Sequence, residues 1–96
     1  MRILIVEDET AAYENLADML VTIDPTLEIM GNTESVQQTV RWLQANLRRD
    51  LIFMDIHLSD GSAFAIFDQI EVEAPIIFTT AYDQYAIDAF KVNSID

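Results

Sequence analysis

The sequence predicts an α/β domain, with a parallel sheet that carries helices on both faces. Three observations support this. Short apolar runs alternate with longer amphipathic segments, the βαβα pattern of a parallel sheet. Two of the runs, Ile3-Leu4-Ile5-Val6 and Leu51-Ile52-Phe53-Met54, are apolar without a break, as central strands buried on both faces are. Ninety-six residues, 51% of them apolar, make one domain with a single core.

Composition narrows the function. The net charge of −12 argues against nucleic-acid binding by this domain alone, because phosphate contacts dominate that affinity. The acids serve solubility, unless some of them converge on a cation. Without cysteine there are no disulfides, thiolate metal sites or thiol chemistry, and a reducing compartment is favoured. No apolar run approaches the ~18–20 residues of a membrane span. The first strand turns acidic at Glu7-Asp8, so it reads as a cytoplasmic strand and not as a signal peptide.

The elements come in order along the chain. Arg2 to Val6 is the first strand, ended by Glu7-Asp8-Glu9. A helix spans about Thr10, read as its N-cap, to Ile23, with Tyr13, Leu16, Ala17, Leu20 and Ile23 at helical spacing. Asp24-Pro25 stops it, since a residue before proline is pushed out of helical angles. Leu27 to Met30 is a second strand whose partial alternation suggests an edge, and Gly31-Asn32 reads as a turn. A helix over about Glu34–Leu47 is capped by Thr33 or Ser35, and Ser35 with Gln38 has capping-box spacing. Its inward stripe is Val36, Val40, Leu43 and Leu47, which leaves Trp42 off the stripe. The third strand is Leu51 to Asp55. A loop through Gly61 leads to a helix over about Ser62–Ile70, striped by Phe64, Phe67 and Ile70. Ile76 to Thr79 is the fourth strand, and a last helix covers about Asp83 to Lys91.

Sites in open parallel sheets form outside the carboxyl ends of the strands. Three strands here end in polar groups: Glu7-Asp8, Asp55 and Thr79-Thr80. If strands one and three are neighbours, three carboxylates meet. A pair ~4 Å apart repels by about 4 kcal/mol at an effective dielectric of 20, so three together call for a cation. All-oxygen ligands select a hard one, and Mg²⁺ fits best because it needs few carboxylates and accepts a phosphate oxygen. With a phosphoryl donor, one carboxylate can attack phosphorus and a strand-end hydroxyl can donate to a phosphoryl oxygen.

These residues carry a resemblance. Glu7-Asp8 after the first strand, Asp55 ending the third, Asp60-Gly61 opening the next helix and Thr80-Ala81 ending the fourth strand resemble a response-regulator receiver domain of two-component signalling. The segments Phe53 to Gly61 and Phe78 to Asp96 are similar to the subgroup found ahead of LytTR-type DNA-binding domains. The resemblance covers the whole chain. It implies a flavodoxin-like sheet of order 2-1-3-4, which the family extends with a fifth strand and a fifth helix. It implies that Asp55 is the phosphoacceptor for a sensor histidine kinase. Asp8, Glu7 and Asp55 itself would be metal carboxylates, the His57 backbone carbonyl a further Mg²⁺ ligand, and Thr80 the switch hydroxyl. It also implies a cytoplasmic signalling module with no enzymatic activity beyond its own phosphorylation and dephosphorylation, controlling transcription through a DNA-binding domain outside this chain.

The chain departs from the family pattern twice. Ser59 stands where the family often has proline. The sequence also stops at Asp96, before the position of the family's fifth-strand aromatic and lysine, which Lys91 does not match. The expectation is therefore a receiver lacking its last β/α unit. Its fourth strand would be an edge exposing Ile76-Ile77-Phe78, covered by another chain, as in a homodimer, or belonging to a longer regulator. Plainer readings stand beside the sharp ones. Glu9 reads as a solvated acid near a helix start, His57 as an exposed loop residue, and Tyr82, Tyr85 and Trp42 as packing or surface aromatics. The rival functions are a degenerate receiver that serves only for docking or dimerisation, a Mg²⁺-dependent aspartyl phosphotransferase, and a flavodoxin-like cofactor binder. The phosphotransferase would need a cap that 96 residues cannot hold, and the cofactor binder a hydroxyl- and glycine-rich loop where Glu7-Asp8-Glu9 stands.

Overall fold

The computed structural model describes residues 1–46 and 49–79. Its elements are β1 (Arg2–Val6), α1 (Thr10–Ile23), β2 (Glu28–Thr33), α2 (Val36–Ala45), β3 (Leu51–Met54), β4 (His57–Leu58), β5 (Gly61–Ser62), α3 (Phe64–Gln69) and β6 (Ile76–Phe78). Four strands form one parallel sheet in the order β2-β1-β3-β6, the order expected with β6 as the fourth strand. The expected last helix, Thr80, Tyr82, Tyr85 and Lys91 lie outside the described residues.

The unbroken apolar runs are explained by the two faces of the sheet. Successive strand residues point to opposite sides. Leu4, Val6, Ile52, Met54 and Ile76 point to one side, where Val36, Val40 and Leu43 of α2 and Ile66 of α3 cover them. Ile3, Ile5 and Phe53 point to the other, against Tyr13, Leu16, Ala17 and Leu20 of α1. Ile3, Leu4, Ile5, Val6, Ile52 and Met54 are all at most 1% exposed, so neither face of the central strands meets solvent.

Several boundaries differ from expectation, each for a physical reason. β2 runs through Gly31-Asn32, which is strand and not turn. The register against β1 jumps from Ile3↔Ile29 to Leu4↔Gly31, so Met30 is bulged out and half-exposed. A one-residue slip inverts the faces of the residues beyond the bulge, and Thr33 turns inward to 1% exposure. Gly31 is required there because Trp42 lies on it: a Cβ at Gly31 would sit 2.9 Å from the indole nitrogen. Trp42 thus packs on the core from outside the α2 stripe. Replacing Gly31 with Ala should displace the indole, at a cost of about 1–2 kcal/mol. Trp42 is the sole tryptophan, so its emission reports the change directly. An unaltered spectrum and melting temperature would refute this packing.

The helix ends show the same interplay. Glu9, not Thr10, is the N-cap of α1, and it makes no side-chain cap bond. Ser35 caps α2 as one of the two residues expected: its Oγ accepts from the Gln38 amide at 3.0 Å, while Gln38 Oε1 accepts from the Glu34 amide at 2.9 Å. α3 starts two residues later than expected, because Gly61-Ser62 pairs antiparallel with His57-Leu58 in a small hairpin. Gly61 has φ 136°, a conformation that L side chains rarely adopt. The expected exposure of Ile76-Ile77-Phe78 does not hold for the side chains. Ile76 is 1% exposed, and Phe78 meets Phe64 edge to face with centroids 5.9 Å apart. Among the described residues β6 pairs with β3 alone.

Candidate functional site

The site is a consequence of strand register. Val6 pairs with Met54, so the residues after them leave the sheet side by side, and the Asp55 amide donates to the Val6 carbonyl at 2.9 Å. Glu7, Asp8 and Asp55 each offer a carboxylate oxygen such that all three lie within 4.8 Å of one another. All three are half-buried. They line a cleft of about 400 Å³ together with Glu9, Ala12, His57 and Thr79. Thr79 reaches it because its amide donates to the Met54 carbonyl at 3.0 Å, which continues the β3–β6 pairing by one residue. Thr80, the hydroxyl expected by resemblance, lies outside the described residues.

The electrostatics match this crowding. Burial pushes the Glu7 carboxyl above its ordinary value, an amide bond from Glu9 opposes the rise, and the Asp55 and Asp8 charges add to it. Glu7 Oε2 accepts that Glu9 bond at 3.2 Å. Among the described residues the one ion pair is Arg2–Glu28, at the opposite end of β1, so no cationic side chain neutralises the cluster. Hard oxygen donors and, among the described residues, negative charge with no cationic partner are the donor set that Mg²⁺ takes. Glu7, Asp8 and Asp55 could hold it.

His57 contributes backbone. Its imidazole is exposed, as expected, while its amide points to Asp55 Oδ1 at 3.4 Å. The Ala63 amide donates to the Ile56 carbonyl at 2.7 Å, so the alternation of an antiparallel ladder turns the next pair, His57 and Ser62, outward.

Sequence reasoning missed three supports. Asn32 Nδ2 donates to the carbonyls of Ile5 and Glu7, both at 3.1 Å, and ties the exit of β1 to β2. Only the bulge brings it there, so no local signal announces it. Asp60, expected with Gly61 to open the next helix, instead caps α2, its carboxylate accepting from Val36 at 2.6 Å and Gln37 at 3.1 Å. Ser59 donates through Oγ to the Glu34 carbonyl at 3.1 Å, and its amide points to the same oxygen at 3.5 Å. A proline there could make neither bond, so the departure from the family pattern adds an attachment to the segment that leads into α2.

The Val36 amide holds the Asp60 carboxyl below its ordinary 3.8, against some desolvation and with help from Gln37. An acid with a lowered folded value stabilises the fold above its unfolded value and loses that contribution as pH falls through the folded one. The Val36 and Gln37 amide shifts should therefore titrate with a midpoint below 3.8. A midpoint at or above that value in an NMR titration would contradict the cap.

A parallel sheet with acids clustered beyond its carboxyl edge defines a class of α/β domain with its site at the strand ends, and the comparisons identify the family. The response regulator receiver domain family matches residues 3–96, and this chain belongs to it. Among curated relatives, the sensory transduction protein LytT of Enterococcus faecalis is 39% identical over the whole chain, which spans 40% of that protein. The transcriptional regulatory protein LytR of Staphylococcus aureus is 38% identical over the whole chain, which spans 39% of it. The chain thus covers about two-fifths of the length of these relatives. The solved response regulatory domain of mrkE from Klebsiella pneumoniae superposes with a TM-score of 0.71 at 34% identity, over 93% of this chain and 74% of that one. The receiver domain of a diguanylate cyclase from Desulfovibrio desulfuricans gives 0.73 at 25% identity, over 91% and 70%. No helix among the described residues is long and apolar enough to cross a membrane.

Proposed function

We propose that this chain is a phosphoacceptor module in which Asp55 takes a phosphoryl group from the phosphohistidine of a sensor kinase. The supporting observation is the convergence of Glu7, Asp8 and Asp55 at the sheet edge with no cationic partner among the described residues. An Asp55 carboxylate oxygen forms the new bond to phosphorus as the bond from phosphorus to the kinase imidazole breaks, and the released imidazole takes up a proton. Asp55 becomes an acyl phosphate. Glu7, Asp8, Asp55 and the His57 carbonyl would hold Mg²⁺, which when bound would offset the charge on the transferred group. The cleft admits the donor from solvent, and Thr80 supplies a hydroxyl to the phosphoryl oxygens.

The response passes to a DNA-binding domain outside this chain and controls transcription in the cytoplasm. The lengths and names of the LytT and LytR relatives favour that output. A second reading is docking or dimerisation without phosphorylation. Incubation with acetyl phosphate and Mg²⁺ separates the two. Intact-mass spectrometry should show one phosphoryl adduct that forms with Mg²⁺ and not with EDTA. If the protein stays unmodified under both conditions, the docking reading stands.

A further inference from the structure

The hairpin β4–β5 is too short to hold itself. It has two residues per strand, and isolated hairpins are marginal even when longer. Yet it leaves the sheet at Asp55 and carries the His57 carbonyl at its first strand position. Its inner side is fastened by Leu58 and Ala63, which are buried in the core. Its turn, Ser59-Asp60, is fastened to the start of α2: Asp60 binds the amides of Val36 and Gln37, and Ser59 binds the Glu34 carbonyl. The same helix start is anchored to the other acidic segment. Thr39 donates to the Ser35 carbonyl at 2.7 Å, Thr39 and Thr33 share a buried hydroxyl bond of 2.7 Å, and the Thr33 carbonyl accepts from the Glu7 amide at 2.9 Å. Hydrogen bonds therefore run from Glu7 through β2 and α2 to Asp60, and the hairpin closes the circuit at Asp55.

We propose that Asp60 is a positioning residue for the cation site: by pinning the hairpin turn to the start of α2, it sets the His57 carbonyl and Asp55 relative to Glu7 and Asp8. The inference rests on the metal site of the phosphoacceptor reading. Asp60 touches neither cation nor phosphoryl group, and it acts through the hairpin backbone.

The test measures the Mg²⁺ dissociation constant by calorimetry, beside the melting temperature, in the intact protein and three variants. Asp60→Ala should weaken Mg²⁺ binding about tenfold, the usual scale for a group that orients a ligand. Ser35→Ala removes a cap bond from the same helix start, to Gln38, without touching the hairpin. It should lower the melting temperature and leave the Mg²⁺ constant unchanged. Asp60→Asn keeps the side-chain volume and gives up the charge and one acceptor oxygen. It should weaken Mg²⁺ binding in the same direction and by less than the alanine variant, and it decides the matter if the alanine variant does not fold. Unchanged affinity in the Asp60 variants overturns the proposal, and so does an equal loss in Ser35→Ala, which would reduce the effect to helix stability. If the unaltered protein binds no Mg²⁺, the proposal and the metal site fall together. If it binds Mg²⁺ and the Asp60 variants bind equally well, the proposal alone falls.

Discussion

Replacing Asp55 with Asn is expected to abolish phosphoryl uptake while leaving the protein folded. Asn matches the carboxylate in shape, but its amide oxygen is no nucleophile towards phosphorus and cannot form an acyl phosphate. The scaffold should tolerate the change. The Asp55 amide bond to the Val6 carbonyl is backbone, and the strand before it ends in the fully buried Met54. Removing one charge from the cluster also relieves repulsion. The measurement is intact mass after acetyl phosphate and Mg²⁺, followed by hydroxylamine, which cleaves acyl phosphates and spares phosphoserine and phosphothreonine. The adduct should form on the unaltered protein, vanish with hydroxylamine and be absent from Asp55→Asn. An adduct of equal occupancy on Asp55→Asn, or one that resists hydroxylamine, places the chemistry elsewhere.

Replacing Asp8 with Asn should move stability and metal response in opposite directions. Without a cation, three carboxylate oxygens within 4.8 Å repel one another. The point-charge figure of about 4 kcal/mol per pair at 4 Å is an upper bound, and solvent at these half-buried groups reduces it to about 1 kcal/mol. Asp8→Asn should therefore raise the melting temperature in EDTA by roughly 4–8 °C, the usual response of a domain this size to 1 kcal/mol. It should also lose most of the stabilisation that Mg²⁺ gives the unaltered protein, because a ligand stabilises only through its affinity for the folded state. Thermal melts with and without Mg²⁺ test both halves. A lower melting temperature in EDTA would mean that Asp8 serves the fold. An undiminished Mg²⁺ shift would mean that it does not hold the cation.

How much was legible depended on how local each signal was. The parallel sheet and its central strands were legible because the apolar runs Ile3 to Val6 and Ile52 to Met54 can be buried without a break only between two layers of helix. The bounds of α1 were legible from its 3.6-residue stripe and from the proline after it. Elements set by distant partners were not. Gly31-Asn32 has the composition of a turn but is held in β2 by pairing with β1, under an indole from α2. Asp60-Gly61 looks like a helix opening, and its acceptor role lies at the start of a different helix. In the site, residue types and order were legible because acids after buried strands are costly without a use. Their meeting depends on β1 and β3 being neighbours, which the strand-end chemistry left conditional and the family resemblance supplied through the order 2-1-3-4.

By itself the sequence determined the class of fold, the strands that form its centre and which acids stand at their ends. Hydrophobic period and strand-end chemistry are properties of contiguous residues, and no tertiary contact is needed to read them. Tertiary structure decided the rest. Register placed Asp55 beside Glu7 and Asp8, a bulge sent Asn32 and Thr33 across to brace the Glu7 segment, and a hairpin turn carried Asp60 to the amides of Val36 and Gln37. Each of these joins residues more than twenty positions apart. Such contacts cost chain entropy that only the packed core recovers, and so they exist only once the whole sheet does.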